Sequence, residues 1–335
     1  MLCSIIIPCF NSTKHIENCL ESLLLLPKEK FEIILVDDFS SDELENLIEK
    51  YQLKIIKNLQ NYGPSYSRNV GAAAATGDVL CFIDSDISIT PERILSNLQF
   101  ILNSDEGLAI TGGVGKKSPY NNFFSKYKNY YLHYTFGIQP DFVSFFYGAF
   151  VMVKKSDFKL WPEYLRYGED TYLGNDYCNS GKKIFFDKQL NAIHYKKLNF
   201  LLITANDFYV PFFFSKTYVN NFNESKTTFK LEFSHALRSQ LTSIALVGVF
   251  WLYLVFCTLF LQADLLLISF ILLCVWLFVN RLYFSFLANE ESPFFTIRSI
   301  LFTFMDQTIL GAGIFCGLIY HGFLHGSKIH SKALF

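Results

Sequence analysis

The sequence predicts an α/β domain with a mostly parallel sheet, followed by an α-helical membrane region. Up to about residue 103, short β-branched runs alternate with helical stretches, which is typical of βαβ units. The chain is 51% apolar and 18% aromatic, with a mean hydropathy of +0.25, more than soluble enzymes usually carry. The apolar surplus is concentrated after about residue 237, so the second part of the chain is expected to be associated with a membrane.

The first half of the α/β domain has a regular strand and helix pattern. Strands are predicted over residues 4–8, 31–37, 53–58 and 79–84. Helices are predicted over residues 13–25, 43–51, 66–75 and 91–103. Two helix starts carry local signals, because Ser40 with Glu43 forms a capping-box pattern and Thr90 precedes a proline at the first helical position.

Residues 108–195 have a more mixed pattern, which is expected to complete the sheet and cover a ligand. Strands are predicted near residues 108–112, 142–146, 149–154, 183–186 and 191–195. Helices are predicted over residues 122–134 and 170–180, and Gly181 is expected to end the second of them.

The chain is expected to contain three regions: a catalytic domain over residues 1–198, an interfacial segment over 199–237 and membrane helices over 238–335. Membrane helices are predicted over about residues 241–261, 265–286 and 300–320. The last of these carries Gly313 and Gly317, a spacing that allows close contact between helices. The sequence leaves open whether this helix spans the membrane or lies along its surface.

Charge placement predicts the orientation in the membrane. Arg238 precedes the first apolar helix, and Arg281 and Arg298 follow the second, so basic side chains lie where the hairpin returns to the cytoplasm. The chain opens with a strand-like run instead of the basic start of a secretory signal. We therefore expect a plasma (inner) membrane protein with a cytoplasmic catalytic domain. The net charge of −1 does not suggest a nucleic-acid partner.

Acidic and aromatic residues follow three of the predicted strands. Ligands of open parallel sheets bind beyond the carboxyl ends of the strands, where this chain has residues 8–11, 36–42 and 84–86. Side chains alternate along a strand, so Asp84 and Asp86 are expected to face the same ligand. Two carboxylates favour a divalent cation, Mg2+ or Mn2+, whose remaining ligands would be the phosphate oxygens of a nucleotide.

These motifs together resemble the family 2 glycosyltransferases of the GT-A fold, which are inverting enzymes that use nucleotide-activated sugars. The resemblance covers about residues 4–195, and its carriers are residues 4–11, 36–40, 63–78, 84–86 and 168–170. It implies a GT-A domain, with a Rossmann-like sheet and flanking helices, and a nucleotide-diphosphate sugar donor. The nucleotide-binding residues that it implies are Pro8, Phe10, Asn11, Asp38, Arg68, Asp84 and Ser85.

The same resemblance implies that Asp86 binds the metal at the diphosphate, that Asp84 contacts either the ribose or the metal, and that Asp170 is the catalytic base. A base is also required by the chemistry, because an inverting transfer is a single displacement in which the acceptor hydroxyl loses its proton. Glu169 is the alternative base, next to Asp170 in the chain.

Several assignments have competing interpretations. Arg68 is expected either to pair with an acid of the strand ends or to contact nucleotide. His194 is either a further metal ligand or a core residue, and Gly148 belongs either to a loop beside donor and acceptor or to a β-bulge. For Asp84 and Asp86 the alternative is a turn with a helix cap.

We therefore predict a membrane-anchored inverting glycosyltransferase that uses a nucleotide-diphosphate sugar and a lipid-linked or cell-envelope glycan acceptor. No Gln-x-x-Arg-Trp sequence is present, which disfavours a processive synthase of the cellulose or hyaluronan type. Two alternatives stay open: a polyprenyl-phosphate glycosyltransferase, and a catalytically silent nucleotide-sugar-binding membrane protein of a polysaccharide assembly complex.

Overall fold

The computed structural model describes residues 2–42, 44, 50–51, 53–165, 167–223, 236–260 and 266–324. The chain forms two compact units. The first contains Met1–Asn121 and Thr135–Lys197, and the second contains Asn122–Tyr134 and Leu198–Phe335. The predicted helix over residues 43–51, with its Glu43 cap, lies mostly outside the described residues.

The first unit is an α/β domain. Its strands are β1 (Cys3–Cys9), β2 (Phe31–Asp37), β3 (Lys54–Lys57), β4 (Val79–Ile83), β5 (Ile87–Ser88), β6 (Leu108–Val114), β7 (Phe142–Val143), β8 (Phe150–Lys154) and β9 (Lys183–His194). Its helices are α1 (Thr13–Leu23), α2 (Pro64–Ala74), α3 (Pro91–Leu102) and α5 (Glu169–Asn179). Helix α4 (Phe123–Gly137) ends in this unit but lies mostly in the second.

The strands form one mixed sheet in the order β3-β2-β1-β4-β8-β6-β9-β5, with β7 paired to β9. Strands β1 to β4 pair with one another in parallel, whereas β8 runs antiparallel to both β4 and β6. Strands β2 and β3 lie on one side of β1, and the chain then returns to β4 on the other side, so the carboxyl ends of β1 and β4 border the crevice where such sheets bind ligands.

Most predicted elements of the first unit are present within two residues of their predicted ends, whereas α4 ends at Gly137 instead of residue 134. Four further differences occur. The strands expected over 183–186 and 191–195 are one continuous strand, β9. Strand β5 was not predicted, because two residues are too short to show a period. The predicted strand over 142–146 is reduced to β7. Thr90 precedes α3 but its side chain makes no capping hydrogen bond.

The described part of the second unit is helical. Its helices are α4, α6 (Phe200–Asn223), α7 (Arg238–Phe260), α8 (Leu266–Glu290) and α9 (Pro293–Ile319), and a π-helical turn follows α9. Three of the described helices are long and apolar enough to cross a bilayer: Arg238–Leu259, Leu267–Glu290 and Pro293–Gly322. Helix α9 begins earlier than the predicted residue 300, because Ser292 caps it by accepting from the amide of Phe295.

The predicted close approach at the paired glycines is confirmed. A Cβ at Gly313 or at Gly317 would collide with the backbone carbonyl oxygen of Phe208 or of Phe212, respectively. Both partners lie on α6, so only glycine permits this helix-to-helix distance. Residues 200–223 of the segment expected to be interfacial therefore form a helix packed along α9, and residues 224–235 lie outside the described part.

Polar side chains are buried between the helices of the second unit. Lys128 of α4 donates to Asp207 of α6 at 2.6 Å, and Tyr127 contacts Asp306 of α9 at 3.4 Å. On another side of α9, Gln307 accepts from the indole of Trp276 at 2.7 Å. A charged residue in an apolar helix is expected to face protein instead of lipid, and Asp306, only 1% exposed, does so.

Candidate active site

The acids of residues 84–86 lie in a turn that follows β4. Strand β4 ends at Ile83, and the amide of Ile87 donates to the carbonyl of Asp84 at 3.1 Å. Strand alternation therefore does not orient Asp84 and Asp86, because the turn replaces the pleat. That both acids face one ligand stays a prediction. Asp84 faces Arg68, and Asp86 faces His194. Ser85 between them is half-buried.

Arg68 is a buried cation at the centre of the site, 3% exposed. Its Nη2 donates to Asp84 Oδ1 at 2.7 Å and to the carbonyl of Gly148 at 3.3 Å, and its Nη1 donates to Glu169 Oε1 at 3.3 Å. Its guanidinium lies 4.4 Å from the ring centroid of Trp161. Of the two interpretations of Arg68, the structure has the ion pair with a strand-end acid.

Helix α2 holds Arg68 in this position through two local features. A Cβ at Gly71 would collide with the side chain of Ile6 on β1, so a glycine lets the helix approach the sheet. Asn69 exchanges two hydrogen bonds of 2.9 Å with the backbone of Trp161. The small residues of α2 thus fix both the guanidinium and the aromatic ring beneath it.

Asp170 lies in the first turn of α5, where helix amides favour a carboxylate. Its Oδ1 accepts from the amide of Thr171 at 2.7 Å, and its Oδ2 accepts from the amide of Gly148 at 3.1 Å. A Cβ at Gly148 would lie 3.3 Å from Arg68 Nη2 and 3.5 Å from Asp170 Oδ2. Gly148 therefore lies between the arginine and the acid, and a side chain there would be tight against Arg68 and in ordinary contact with Asp170.

The two acids at the start of α5 both hold their protons more tightly than usual. Burial, followed by the nearby Asp170 charge, raises the pKa of Glu169 to about 7, although Arg68 opposes the shift. Burial also raises the pKa of Asp170, against the hydrogen bonds from Gly148 and Thr171. A general base works best with a pKa near the working pH, so the shift of Asp170 suits that role.

Asp86 and His194 form a second polar pair beside this cluster. His194 Nε2 lies 3.2 Å from Asp86 Oδ2, and strand pairing places His194 opposite Ile87. Burial tends to raise the pKa of Asp86, but His194 and the charge of Lys196 hold it below the ordinary value. The carboxylate is thus ionised and about one-third exposed.

This pair fits a divalent cation that shares its ligands with a substrate. Among the described residues no group of three or more His, Cys, Asp or Glu side chains could hold a metal alone. Asp86 and His194 supply one oxygen and one nitrogen donor, both accessible to solvent. Mg2+ and Mn2+ commonly bind one or two protein ligands and complete their shells with phosphate oxygens and water.

Asp38, at the end of β2, is buried and holds the loop that precedes α2. Its carboxylate accepts from Asn58 Nδ2 at 2.7 Å, from the amide of Tyr62 at 3.0 Å and from the amide of Gly63 at 2.7 Å. Gly63 has a φ of +94°, which favours glycine. The structure thus shows Asp38 bonded to this loop, and a contact with nucleoside stays a prediction.

The loop after β1 is joined to the loop after β2. The amide of Asn11 donates to Ser40 Oγ at 3.0 Å, and Asn11 Oδ1 accepts from the amide of Ser41 at 2.9 Å. Pro8 is half-buried within β1, whereas Phe10 is 52% exposed. The exposed ring at the carboxyl end of β1 is available to a ligand.

Sequence reasoning missed two residues that support the site, Asn58 and Trp161. Asn58 donates to both Asp38 and Ser67. The sequence feature that could have identified it is its position directly after strand β3. Trp161 lies beneath Arg68. It is the one tryptophan before residue 198, but nothing local in the sequence connects it to Arg68.

A mixed sheet with an acidic turn after β4 and a carboxylate at the start of α5 defines a domain of the GT-A class. Residues 4–161 match the model of glycosyl transferase family 2. This part of the chain, slightly less than half of it, is thus a family 2 glycosyltransferase domain, the family that the sequence motifs resemble.

Relatives and solved structures agree with this assignment. The chain is 37% identical over 105 residues to the poly(ribitol-phosphate) beta-N-acetylglucosaminyltransferase TarS of Staphylococcus aureus, covering 29% of this chain and 18% of TarS. It is 38% identical over 103 residues to a poly(ribitol-phosphate) beta-glucosyltransferase of Bacillus spizizenii, covering 28% and 16%. The chain thus matches less than a fifth of the length of either relative.

Among solved structures, the mannosyltransferase PcManGT from Pyrobaculum calidifontis, in complex with GDP-Man and Mn2+, has a TM-score of 0.55 at 12% identity. The match covers 96% of this chain and 87% of that one. At this identity the likeness concerns the fold, and it confirms the predicted fold class.

Proposed function

We propose that this protein is a membrane-anchored inverting glycosyltransferase, which transfers one sugar from a nucleotide-diphosphate sugar to a lipid-linked or cell-envelope glycan acceptor. The observation that carries the proposal is the arrangement around Arg68, which links the acidic turn after β4 to the acids at the start of α5. A donor-binding turn and a candidate base thus border the same buried cation.

In the proposed reaction Asp170 is the base. An acceptor hydroxyl oxygen attacks the anomeric carbon of the donor, and the bond from that carbon to the diphosphate oxygen breaks with its electron pair on the oxygen. The acceptor proton passes to Asp170, whose carboxylate is held by the amides of Gly148 and Thr171. Both hydrogen bonds fix the orientation of the carboxylate, which general-base catalysis requires.

Asp86 and His194 would hold a divalent cation at the diphosphate. When bound, the cation supplies positive charge that stabilises the departing nucleoside diphosphate. The metal-bound structure of PcManGT, which has the same fold, supports divalent metal use in general. The paired donors at 3.2 Å support these residues as ligands.

The nucleoside is proposed to lie at the carboxyl ends of β1 and β2. Phe10 offers an exposed aromatic face to the nucleobase. Pro8 and Asn11 border this position. Asp38 and Arg68 belong to the same proposed site, where they hold the neighbouring loop and the acidic turn. Solved structures with this fold contain UDP-GlcNAc or GDP-Man according to their descriptions. This supports a nucleotide-sugar donor but does not select between uracil and guanine as its nucleobase.

The acceptor and location are proposed from relatives and hydropathy together. Two relatives are described as acting on poly(ribitol-phosphate), which supports a cell-envelope polymer or its lipid-linked precursor. Three apolar helices support membrane anchoring. The cytoplasmic face of the inner membrane and the domain limits 1–198, 199–237 and 238–335 belong to the same proposal.

A donor screen tests this function. The full chain in detergent micelles is incubated with UDP- and GDP-sugars and Mn2+, and release of nucleoside diphosphate is measured with and without a membrane-lipid extract. We expect one donor to be consumed, with faster release when lipid acceptor is present. Donor that binds but is never consumed, with or without acceptor, would instead identify a silent nucleotide-sugar-binding protein.

A further inference from the structure

Residues 195–196, directly beyond β9, lie beside the acidic turn. The amide of Tyr195 donates to the carbonyl of Asp86 at 2.8 Å, and strand pairing of Ile87 with His194 holds the same segment. The hydroxyl of Tyr120 also contacts the carbonyl of Tyr195 at 3.5 Å. The position of the next residue, Lys196, is therefore fixed relative to Asp86 by the backbone.

Lys196 is exposed and its charge acts on Asp86. Within the described part of the chain, no carboxylate lies within ion-pair distance of its ammonium group. This differs from Arg68, whose guanidinium is already bonded to Asp84 and Glu169. Lys196 is thus a cation at the edge of the proposed diphosphate position that is available to a ligand.

The reaction develops negative charge that a cation at this position would offset. Breaking the bond to the sugar adds one negative charge to the nucleoside diphosphate. The Asp86 carboxylate offsets part of the charge of any divalent cation there, and Arg68 is buried against two acids. A positive group near the departing oxygen stabilises the transition state more than the ground state.

We propose that Lys196 binds the terminal phosphate of the nucleoside diphosphate and stabilises it as it leaves. The inference rests on the proposed function and adds to it a residue specific for the diphosphate. Lysine binds phosphate as a compact point charge, and its position one residue beyond the Tyr195 contact with Asp86 brings it to the phosphates and away from the nucleoside.

The test compares affinities for nucleoside diphosphate and monophosphate. Full-length wild type, Lys196→Met and Lys197→Met are titrated calorimetrically with UDP, UMP, GDP and GMP in Mn2+. Lys197 is the matched control, since it is the adjacent exposed lysine. For Lys196→Met we expect roughly 10- to 100-fold weaker diphosphate binding, the range of a charge-assisted hydrogen bond, with monophosphate binding within about 3-fold of wild type.

Turnover gives a second readout. The assay uses the donor that the wild type consumes. Lys196→Met should lower kcat, and Lys196→Arg should have a kcat close to that of the wild type because the positive charge is kept. Unchanged diphosphate affinity in Lys196→Met, or equal losses for diphosphate and monophosphate, would overturn the inference while leaving the proposed function intact. Wild type that binds no nucleoside diphosphate in Mn2+ would contradict the proposed function itself.

Discussion

Gly148 and Asp170 are joined by a hydrogen bond of 3.1 Å, from the backbone amide of the glycine to Oδ2 of the acid. The carbonyl of the same glycine accepts from Arg68 at 3.3 Å. One peptide segment before β8 therefore contacts both the candidate base and the cation that holds the acidic turn. A Cβ on Gly148 would lie 3.3 Å from Arg68 Nη2, so the absence of a side chain leaves room for the guanidinium.

Replacement of the base is expected to abolish transfer. Asp170→Asn keeps the size of the side chain but cannot take the acceptor proton, so kcat should fall roughly 10²- to 10⁴-fold, the usual contribution of a general base. Calorimetric affinity for nucleoside diphosphate in Mn2+ should stay near the wild-type value.

Glu169→Gln is the matched control, since the two acids are neighbours at the start of α5. It should retain most of its activity. If Glu169→Gln were inactive and Asp170→Asn active, the base would be Glu169.

The dependence of kcat/KM on pH is expected to report the ionisation of Asp170. A base acts only when deprotonated, so activity should fall as pH decreases through its pKa. Burial raises that pKa, so the loss should occur above the range of an ordinary aspartate. The measurement is kcat/KM for the sugar donor, at saturating acceptor, from about pH 4 to about pH 9.

In Glu169→Gln the same acid limb should persist, although its midpoint can move because the two carboxyls interact. Disappearance of the limb in this variant would assign it to Glu169, whose pKa is raised to about 7.

Removal of the candidate metal ligand is expected to uncouple nucleotide binding from metal. In Asp86→Ala, Mn2+ should no longer strengthen the binding of nucleoside diphosphate, because the carboxylate that is proposed to bind the cation is gone. Titration of nucleoside diphosphate with Mn2+ and with EDTA measures the difference.

His194→Gln separates the two interpretations of His194. A ligand role predicts a weaker response to Mn2+ with unchanged affinity in EDTA, whereas a purely structural role predicts equal losses in both conditions. If Asp86→Ala kept the full Mn2+-dependent affinity for nucleoside diphosphate, the assignment of the metal site to this turn would be wrong.

The packing of α9 on α6 is expected to depend on Gly313. In Gly313→Ala the new methyl group would meet the carbonyl oxygen of Phe208, and overpacking of this kind typically costs about 1–3 kcal/mol. The thermal unfolding midpoint of the detergent-solubilised protein should decrease.

Gly311→Ala on the same helix is the control. Its Cβ would lie 3.4 Å from the side chain of Ile244, an ordinary contact, and alanine favours helix by about 1 kcal/mol over glycine. Its midpoint should equal or exceed that of wild type. Equal midpoints for Gly313→Ala and wild type would show that the helices can separate at this point.

The sequence alone determined the order of most strands and helices and the edge of the sheet where the acids after β2 and β4 lie. Each of these depends on local periodicity or on chain direction, since parallel strands present their carboxyl ends at one edge. Asp38 and Asp86 could therefore be selected as candidates from their positions after β2 and after β4, whereas the family and the role of Asp170 followed from the resemblance of the motifs.

Only the tertiary structure decided which of these groups pair. Arg68 and Glu169 are 101 residues apart in the chain, and the bonding of Asp38 to the Asn58–Gly63 loop and the packing of Trp161 beneath Arg68 are similarly nonlocal. The turn at Asp84 also depends on where β4 stops pairing with β8. Such contacts are set by how separate segments of the chain pack together. A local sequence pattern carries no information about which distant segments come into contact.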